Sequence, residues 1–300
     1  MSLIVNWLES LHEQMKISST CSRGRNRKST CTHCKDQCSK QAITIIDHLP
    51  TIDADLCSMC GDCMIVCPLS AIEGLAVNRK FERTSLVFDD TYTPTTKELL
   101  IYAKRGLQSI QFDQLALNQE WTNALNEANT ILSSLNQYPI AVVRKIPKDK
   151  LSRRAFFQSF QKEGRQLAKN MAPAAWKIET DGWKLSKYYP EYQFFSVDID
   201  QNKCTLCRAC FSVCTEKVFV YEDGLLQIQN DKCVNCTACT DVCSQDAIQV
   251  ISDIKSKCER AEPYLTKQCK DCGQKFYTFH SKTETCHICV DRDSDWLRPY

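Results

Sequence analysis

Cysteine is the residue with the most obvious capacity for chemistry in this chain. The 300 residues include 21 cysteines, and most of them stand in C-x2-C groups. Two thiolates at this spacing bind one metal well but make poor partners for a structural disulfide, and secreted disulfide scaffolds are usually much shorter than this chain. The pattern therefore favours metal binding over a disulfide framework. It also predicts a reducing compartment, the cytoplasm, in which so many thiols stay free.

The cysteines recur with a period of 29 residues. We call a stretch with the pattern C-x2-C-x2-C-x3-C a cysteine run. Run 3, CTLCRACFSVC, begins at Cys204, and run 4, CVNCTACTDVC, begins 29 residues later at Cys233. Run 2, CSMCGDCMIVC, begins at Cys57, and run 1 is an incomplete copy 29 residues before it, with Lys28 in place of the first cysteine. The residues that follow each run repeat as well: Ala42-Ile43, Ala71-Ile72, Val218-Phe219 and Ala247-Ile248.

This spacing suits iron and sulfide better than zinc. Soft thiolates bind iron-sulfur clusters well, and C-x2-C-x2-C lets three sulfurs surround one corner of a cube while the fourth cysteine points away to another cluster. Four-cysteine zinc sites usually consist of two C-x2-C knuckles separated by a dozen or more residues. The runs therefore predict [4Fe-4S] clusters.

The runs resemble those of the bacterial two-cluster ferredoxins, over residues of about 20–77 and 196–252. The resemblance implies that the first three cysteines of one run join the fourth cysteine of its partner run. Of the family's prolines after the fourth cysteine, only Pro68 is present. The implied ligand sets are Cys204, Cys207, Cys210 and Cys243; Cys233, Cys236, Cys239 and Cys214; Cys57, Cys60, Cys63 and Cys38; and Cys31, Cys34 and Cys67, which need a fourth ligand.

The fourth ligand of this last set is the open question of run 1. We expect Cys21 to complete it, because the polar loop Ser22–Thr30, with Gly24 for a turn, is long enough to bring that thiol back to the cluster. The alternatives are a three-iron cluster and a fourth iron held by water. Nearby Arg23, Arg25, Arg27 and Lys28 would raise the potential of this cluster if they face it, and otherwise form a solvated loop or docking patch.

The C-terminal tail carries a different metal pattern. Cys269, Cys272, Cys286 and Cys289 form two C-x2-C knuckles with thirteen residues between them, which looks like a structural zinc ribbon. Four-cysteine iron of the rubredoxin kind is the alternative. Three potential ligands remain, and we expect none of them to bind metal: Cys258, His280 and His287.

Residues 78–195 contain no cysteine and alternate between strand and helix patterns. Strands are predicted in TSLVFDD, LQSIQFD and YPIAVVR, and helices in TPTTKELLIYAKRG, capped by Thr93, and in NQEWTNALNEANTILSSLN. The alternation favours a small parallel α/β domain. Further amphipathic helices are predicted at 1–15 and 151–171, and no segment approaches the roughly 20 apolar residues that span a bilayer.

The sequence as a whole predicts an α+β fold. Two ferredoxin-like 2[4Fe-4S] modules, 1–77 and 196–257, flank the α/β domain at 78–195, and the zinc ribbon occupies 258–300. A net charge of +2 argues against nucleic acid as a partner. We expect four [4Fe-4S] clusters, one structural Zn²⁺ and an electron-transfer role serving a separate oxidoreductase.

Two other functions stay open at this stage. One is an oxidoreductase with a substrate or cofactor site in the α/β domain, although this domain has no phosphate loop and only Asp89, Asp90 and Tyr92 as clustered polar residues, which a turn explains. The other is a protein that senses redox state.

Overall fold

The computed structural model describes residues 15–113, 117–145 and 176–290. These residues fold as mixed helix and strand in two compact units. The first comprises the described residues of Met1–Cys21 and Thr32–Tyr189, and the second comprises those of Ser22–Cys31 and Pro190–Tyr300. The helices predicted at 1–15 and 151–171 lie outside the described residues, apart from Met15.

Helices are short except in the α/β part of the first unit. Each cysteine run contains one helix of a single turn, because a run must bend sharply to bring several thiols together. The described α-helices are α1 Ser22–Arg25, α2 His33–Asp36, α3 Asp62–Val66, α4 Thr96–Lys104, α5 Gln119–Ser134, α6 Leu185–Tyr188, α7 Ala209–Val213 and α8 Ala238–Val242, with 3-10 turns at Thr180–Gly182 and Asn230–Lys232. None of these described helices has the length and apolar character needed to cross a membrane.

The strands form small sheets. In the first unit they are β1 Lys16–Ile17, β2 Ile43–Ile46, β3 Leu49–Ile52, β4 Ile72–Glu73, β5 Phe81–Glu82, β6 Ser85–Val87, β7 Ser109–Phe112 and β8 Ala141–Arg144. In the second unit they are β9 Tyr192–Ile199, β10 Phe219–Glu222, β11 Leu225–Gln229, β12 Ile248–Ser256, β13 Glu259–Pro263, β14 Leu265–Gln268 and β15 Lys275–Thr278.

The α/β part of the first unit is a four-stranded sheet in the order β5-β6-β7-β8. β6, β7 and β8 are parallel, and all three lie inside the segments that the sequence predicts as strands. α5 follows the helical period on its buried face, where Trp121, Leu125, Ala128 and Leu132 are spaced for one side of a helix. Trp121 is fully buried and packs edge-on against Phe88.

The predicted helix cap at Thr93 is wrong. α4 begins after Thr95, whose side-chain hydroxyl accepts a hydrogen bond from the N–H of Glu98. Thr93 instead donates a hydrogen bond to the carboxylate of Glu120 in α5. Thr95 and Glu98 stand at the spacing of a capping box, so the sequence did contain the signal for the true start of the helix.

Each pair of cysteine runs is framed by the same strand arrangement. A hairpin lies between the two runs, β2–β3 in the first unit and β10–β11 in the second, and a second strand pair joins the flanks, β1–β4 and β9–β12. In the second unit, the thiols of runs 3 and 4 pack against a core formed by Val197, Ile199, Leu206, Val218, Phe219, Leu226 and Ile228. Hairpin and flanking strands thus enclose the loops that carry the cysteines.

Candidate metal centres

The cysteine runs share an unusual backbone. Runs 2, 3 and 4 each place two non-helical residues in the left-handed region, one just before and one just after the second cysteine. This conformation turns successive backbone N–H groups toward the concave side of the loop, where thiol sulfurs can accept them. The residues are Met59 and Gly61 in run 2, Leu206 and Arg208 in run 3, and Asn235 and Thr237 in run 4, with φ between 51° and 80°.

A fourfold repeated hydrogen bond explains why the Ala-Ile and Val-Phe pairs recur. In every run the last thiol accepts the backbone N–H of the residue four positions later. The donor–acceptor distances are 3.3 Å from Ala42 to Cys38, 3.2 Å from Ala71 to Cys67, 3.4 Å from Val218 to Cys214 and 3.3 Å from Ala247 to Cys243. N–H donors to sulfur orient ligating cysteines and raise the potential of the group they bind.

The first group of thiols in the second unit combines run 3 with the end of run 4. Burial is the main cause that raises the pKa of Cys210 to about 12, and the neighbouring thiols of Cys204, Cys207 and Cys243 act in the same direction. These four residues line one cavity of about 420 Å³, part of which is open to solvent. The ferredoxin resemblance groups the same four cysteines, and their role as one ligand set stays a prediction.

The second group in this unit combines run 4 with the end of run 3. Burial is the main cause that raises the pKa of Cys239, and the neighbouring thiols of Cys233, Cys236, Cys210 and Cys214 act in the same direction. Cys214, Cys233, Cys236 and Cys239 line a cavity of about 360 Å³. Apolar side chains and thiols make up most of its lining, beside Glu216, Asn235 and Thr237, and the four thiols suit an iron-sulfur cluster rather than a hydrated cation.

In the first unit, run 2 gathers its thiols in the same way. Burial is the main cause that raises the pKa of Cys63 to about 12, with smaller contributions from the thiols of Cys60, Cys34, Cys57 and Cys38. Cys34 and Cys38 of run 1 are therefore both close to Cys63, and the choice of Cys38 as the ligand stays a prediction. The backbone N–H of Asp62 donates to the Cys60 thiol.

Run 1 differs from the other three in structure as well as in sequence. Thr32, at the position that is left-handed elsewhere, has φ −129° and ψ 3°. Cys21 lies in the first unit, close enough to Cys67 for its charge to raise the pKa of that thiol, after burial as the main cause. Cys31 belongs to the second compact unit, so its place in the predicted set stays a prediction.

The predicted loop between Cys21 and Cys31 contains a short helix, α1, and Gly24 lies inside this helix instead of in a turn. The segment packs within the second unit. The backbone N–H and the hydroxyl of Thr30 donate to the carboxylate of Asp241 in run 4, at 2.9 and 2.8 Å. Arg25 donates to the carbonyl of Ser212 in α7 at 3.4 Å. Lys28 is exposed.

The tail brings its four cysteines together. The candidate ligand atoms of Cys269, Cys272, Cys286 and Cys289 all lie within 4.8 Å of one another. The sulfurs of Cys272 and Cys286 are 3.9 Å apart, close to the edge of roughly 3.8 Å in a tetrahedron with zinc–sulfur bonds of about 2.3 Å. Backbone N–H donors from Cys286 and Cys272 lower the pKa of Cys269 to about 6, which favours the thiolate that a metal needs.

The two knuckles are positioned by the hairpin β14–β15, whose strands are connected through the first knuckle. Gly273 has φ 68° in the turn directly after the first knuckle and returns its N–H to the Cys269 carbonyl at 2.9 Å. Of the residues expected not to bind metal, His280 interacts through its Nε2 with the carbonyl of Gln201 at 2.9 Å. Cys258 is exposed, and its thiol donates to Gln193 at 3.5 Å.

The polar residues of the α/β part form a turn. The carboxylate of Asp89 accepts the N–H of Thr91 at 3.0 Å and the hydroxyl of the same residue at 2.6 Å. Lys80 donates to the other oxygen at 3.1 Å, and these donors lower the pKa of Asp89. The turn accounts for Asp89, as the sequence predicted, whereas the Tyr92 ring lies over the guanidinium of Arg79.

Sequence reasoning did not identify the charged side chains buried beside the runs. Arg79, Glu98 and Lys97 come from the α/β part of the first unit and contact run 2 or each other. Their partners are distant in sequence, so no local pattern reveals them. Arg and Lys side chains are seldom buried unless they are paired. The sequence does not show which of them are buried, so these residues could be recognised only from the structure.

Comparison with known proteins supports the iron-sulfur interpretation. Residues 50–73 and 226–249 each match the 4Fe-4S binding domain, and they contain runs 2 and 4. The chain is 38% identical over 66 residues to an uncharacterized ferredoxin of Methanocaldococcus jannaschii, which is 22% of this chain and 42% of that ferredoxin. It is 40% identical over 43 residues to one component of an ion-translocating oxidoreductase complex of Methanosarcina acetivorans, which is 14% of this chain and 16% of that component.

The chain thus contains two 4Fe-4S binding segments of the ferredoxin kind. The matches cover less than half of either relative.

Proposed function

We propose that this protein carries single electrons to or from a separate oxidoreductase through four [4Fe-4S] clusters. The observation that carries the proposal is the repeated N–H donation to the last thiol of all four runs, together with two cavities each lined by four cysteines. Each cluster, when bound, would accept and release one electron. The residues of the runs would hold it and would adjust its potential through N–H donors.

The proposed ligand sets follow the ferredoxin resemblance. They are Cys204, Cys207, Cys210 and Cys243; Cys233, Cys236, Cys239 and Cys214; Cys57, Cys60, Cys63 and Cys38; and Cys31, Cys34, Cys67 and Cys21. Zn²⁺ in the tail, at Cys269, Cys272, Cys286 and Cys289, would have a structural role, because four protein ligands leave no open position for substrate.

An oxidoreductase complex is the proposed partner, by analogy with the ion-translocating complex to which one relative belongs. We place the protein in the cytoplasm, where 21 free cysteines stay reduced.

The test is the metal content and redox behaviour of the protein purified without oxygen. We expect about sixteen irons and sixteen sulfides per chain, four of each per cluster, and one zinc. The visible absorbance should bleach with dithionite and return with a mild oxidant, and no small molecule should be turned over without a partner protein. A copurifying flavin or nucleotide, with turnover by the chain alone, would contradict a carrier and support the enzyme alternative.

A further inference from the structure

Arg208 follows the second cysteine of run 3 and has a left-handed backbone, φ 65° and ψ 11°. The same position is Gly61 in run 2 and Thr237 in run 4. A side chain is excluded at Gly61, because a Cβ there would lie 2.8 Å from Cγ2 of Val77. Thr237 donates from its hydroxyl to Asp241 within its own run. Of these three runs, only run 3 extends a cation from this point of the loop.

The guanidinium of Arg208 lies between two aromatic rings. Its central carbon is 4.2 Å from the ring centroid of Tyr277 and 4.6 Å from that of Tyr221. Tyr264 packs edge-on against both rings, at 5.1 and 5.8 Å, so the rings support one another. Cation–π contact is favourable because the face of an aromatic ring is electron-rich. Tyr277 belongs to β15, between the two knuckles of the tail.

No acid in the described part of the second unit neutralises this cation. The Nε of Arg208 is buried without a hydrogen-bond partner in the structure, and none of the ion pairs among those residues includes Arg208. Arg208 is partly exposed, and without an ion pair among these residues its charge acts on the groups beside it.

Thiols line the same cavity as Arg208. Arg208 and Tyr221 both line the cavity formed by the first thiol group of the second unit. The pKa of Tyr221 is raised by burial and then by the charges of Cys210, Cys204 and Cys207, so the ring that holds the guanidinium also lies beside these sulfurs. Cation and thiols share one cavity wall.

We infer that Arg208 raises the reduction potential of the cluster held by Cys204, Cys207, Cys210 and Cys243, and that Tyr277 positions Arg208 for this task. Reduction adds one electron from an external donor, so the reduced cluster is more negative by one charge, and a fixed cation nearby stabilises that form. The tail is then a positioning module for the cluster as well as a metal site. The inference rests on the proposed function.

The experiment is a redox titration of the full chain, followed by electron paramagnetic resonance, on Arg208→Gln and a matched control. Arg208→Gln should make reduction of one cluster about tenfold less favourable, a midpoint about 59 mV lower, while the other midpoints hold. Lys217→Gln removes an exposed cation from the same module at another left-handed position and should change no midpoint. Arg208→Lys keeps the charge and should restore most of the potential.

Tyr277 provides an independent test if Arg208→Gln fails to assemble its cluster. Tyr277→Leu keeps an apolar side chain but removes the ring face. It should make reduction of the same cluster about threefold less favourable and so lower the same midpoint. Tyr277→Phe should have the midpoint of the parent protein. If Arg208→Gln retains sixteen irons with unchanged potentials, or if Tyr277→Leu and Tyr277→Phe have the same midpoints, the inference is wrong while the carrier function stands. A parent protein without iron would instead refute the proposed function.

Discussion

The guanidinium of Arg79 donates to the carboxylate of Asp62 inside run 2, with 2.6 Å between Nη2 and Oδ1. The same guanidinium donates from Nε to Glu98 of α4 at 2.7 Å, and the side chains of Arg79 and Glu98 are 3% and 0% exposed. Tyr92 covers the guanidinium from one side, 3.7 Å from the ring centroid. One buried cation thus joins a cysteine run to helix α4 of the first unit.

Replacement of Arg79 by Met should destabilise the first unit strongly. The variant leaves two carboxylates without their cation, and breaking a buried ion pair by removing one partner costs about 3–5 kcal/mol. Urea unfolding under anaerobic conditions, followed by tryptophan fluorescence, measures the change. Lys80→Gln is the matched control: it removes a neighbouring cation whose own side chain is 63% exposed where it pairs with Asp89, and should change stability by less than about 1 kcal/mol.

The loss of folding stability in Arg79→Met should depend on pH, because Glu98 is titratable. Burial raises the pKa of Glu98, and Arg79 counteracts that rise by lowering it. Without Arg79 the folded-state pKa lies higher still. A folded-state pKa above the unfolded value means that folding favours protonated Glu98. The contribution of Glu98 to stability is therefore full below the ordinary Glu pKa and is lost as pH rises through the folded pKa. The stability deficit should therefore grow with pH, and a deficit independent of pH would show that Glu98 is not the group left uncompensated.

Lys97 should stabilise the end of run 2. Its ammonium is buried and donates to the carbonyls of Ile65 at 2.7 Å and Cys67 at 3.3 Å, at the C-terminal end of α3. Lys97→Met leaves these carbonyls without their donor at the negative end of a helix, which should cost about 1–3 kcal/mol. The measurement is the same urea unfolding. Lys104→Met, at the C-terminal end of the same helix α4, should cost less than half as much; equal losses would mean that the donated hydrogen bonds do not matter.

The sequence predicted the parts of this structure that depend on local spacing. The 29-residue period located all four runs, because thiols that share a cluster must stand at fixed short intervals, and the strand and helix patterns located β6, β7, β8 and α5. The start of α4 was misplaced at Thr93 although Thr95 and Glu98 formed the better capping pair. Two threonines competed for the cap, and the capping-box spacing of Thr95 with Glu98 distinguishes them in the sequence, in agreement with the backbone conformation.

What the sequence did not reveal depends on contacts between distant residues. Arg79 meets Asp62 and Glu98 across 17 and 19 positions, and Arg208 meets Tyr277 across the whole of run 4. Basic residues at such positions look like ordinary surface charges. Their role follows from burial, which is a property of the fold and not of the neighbouring residues.

Cys21→Ser tests the fourth ligand of run 1. If Cys21 completes the set with Cys31, Cys34 and Cys67, the variant should lose at least one of about sixteen irons and gain or lose an electron paramagnetic resonance signal that belongs to one cluster. Cys258→Ser is the control, because this exposed thiol belongs to none of the four-cysteine sets. If Cys21→Ser keeps its iron and its spectra, a water molecule or another group is the ligand.

The tail should bind one zinc independently of the iron. The double variant Cys272→Ser, Cys286→Ser removes one ligand from each knuckle. The two thiols that remain are too few for a closed tetrahedral site. Metal analysis of this full-length variant should show loss of one zinc with iron unchanged.

Because β14 and β15 are held by the knuckles, Tyr277 should also lose its place, and the midpoint that Arg208→Gln lowers should fall in this variant too. If zinc is lost and that midpoint does not move, the tail metal does not position Tyr277; if iron is lost in place of zinc, the tail binds iron in the rubredoxin manner.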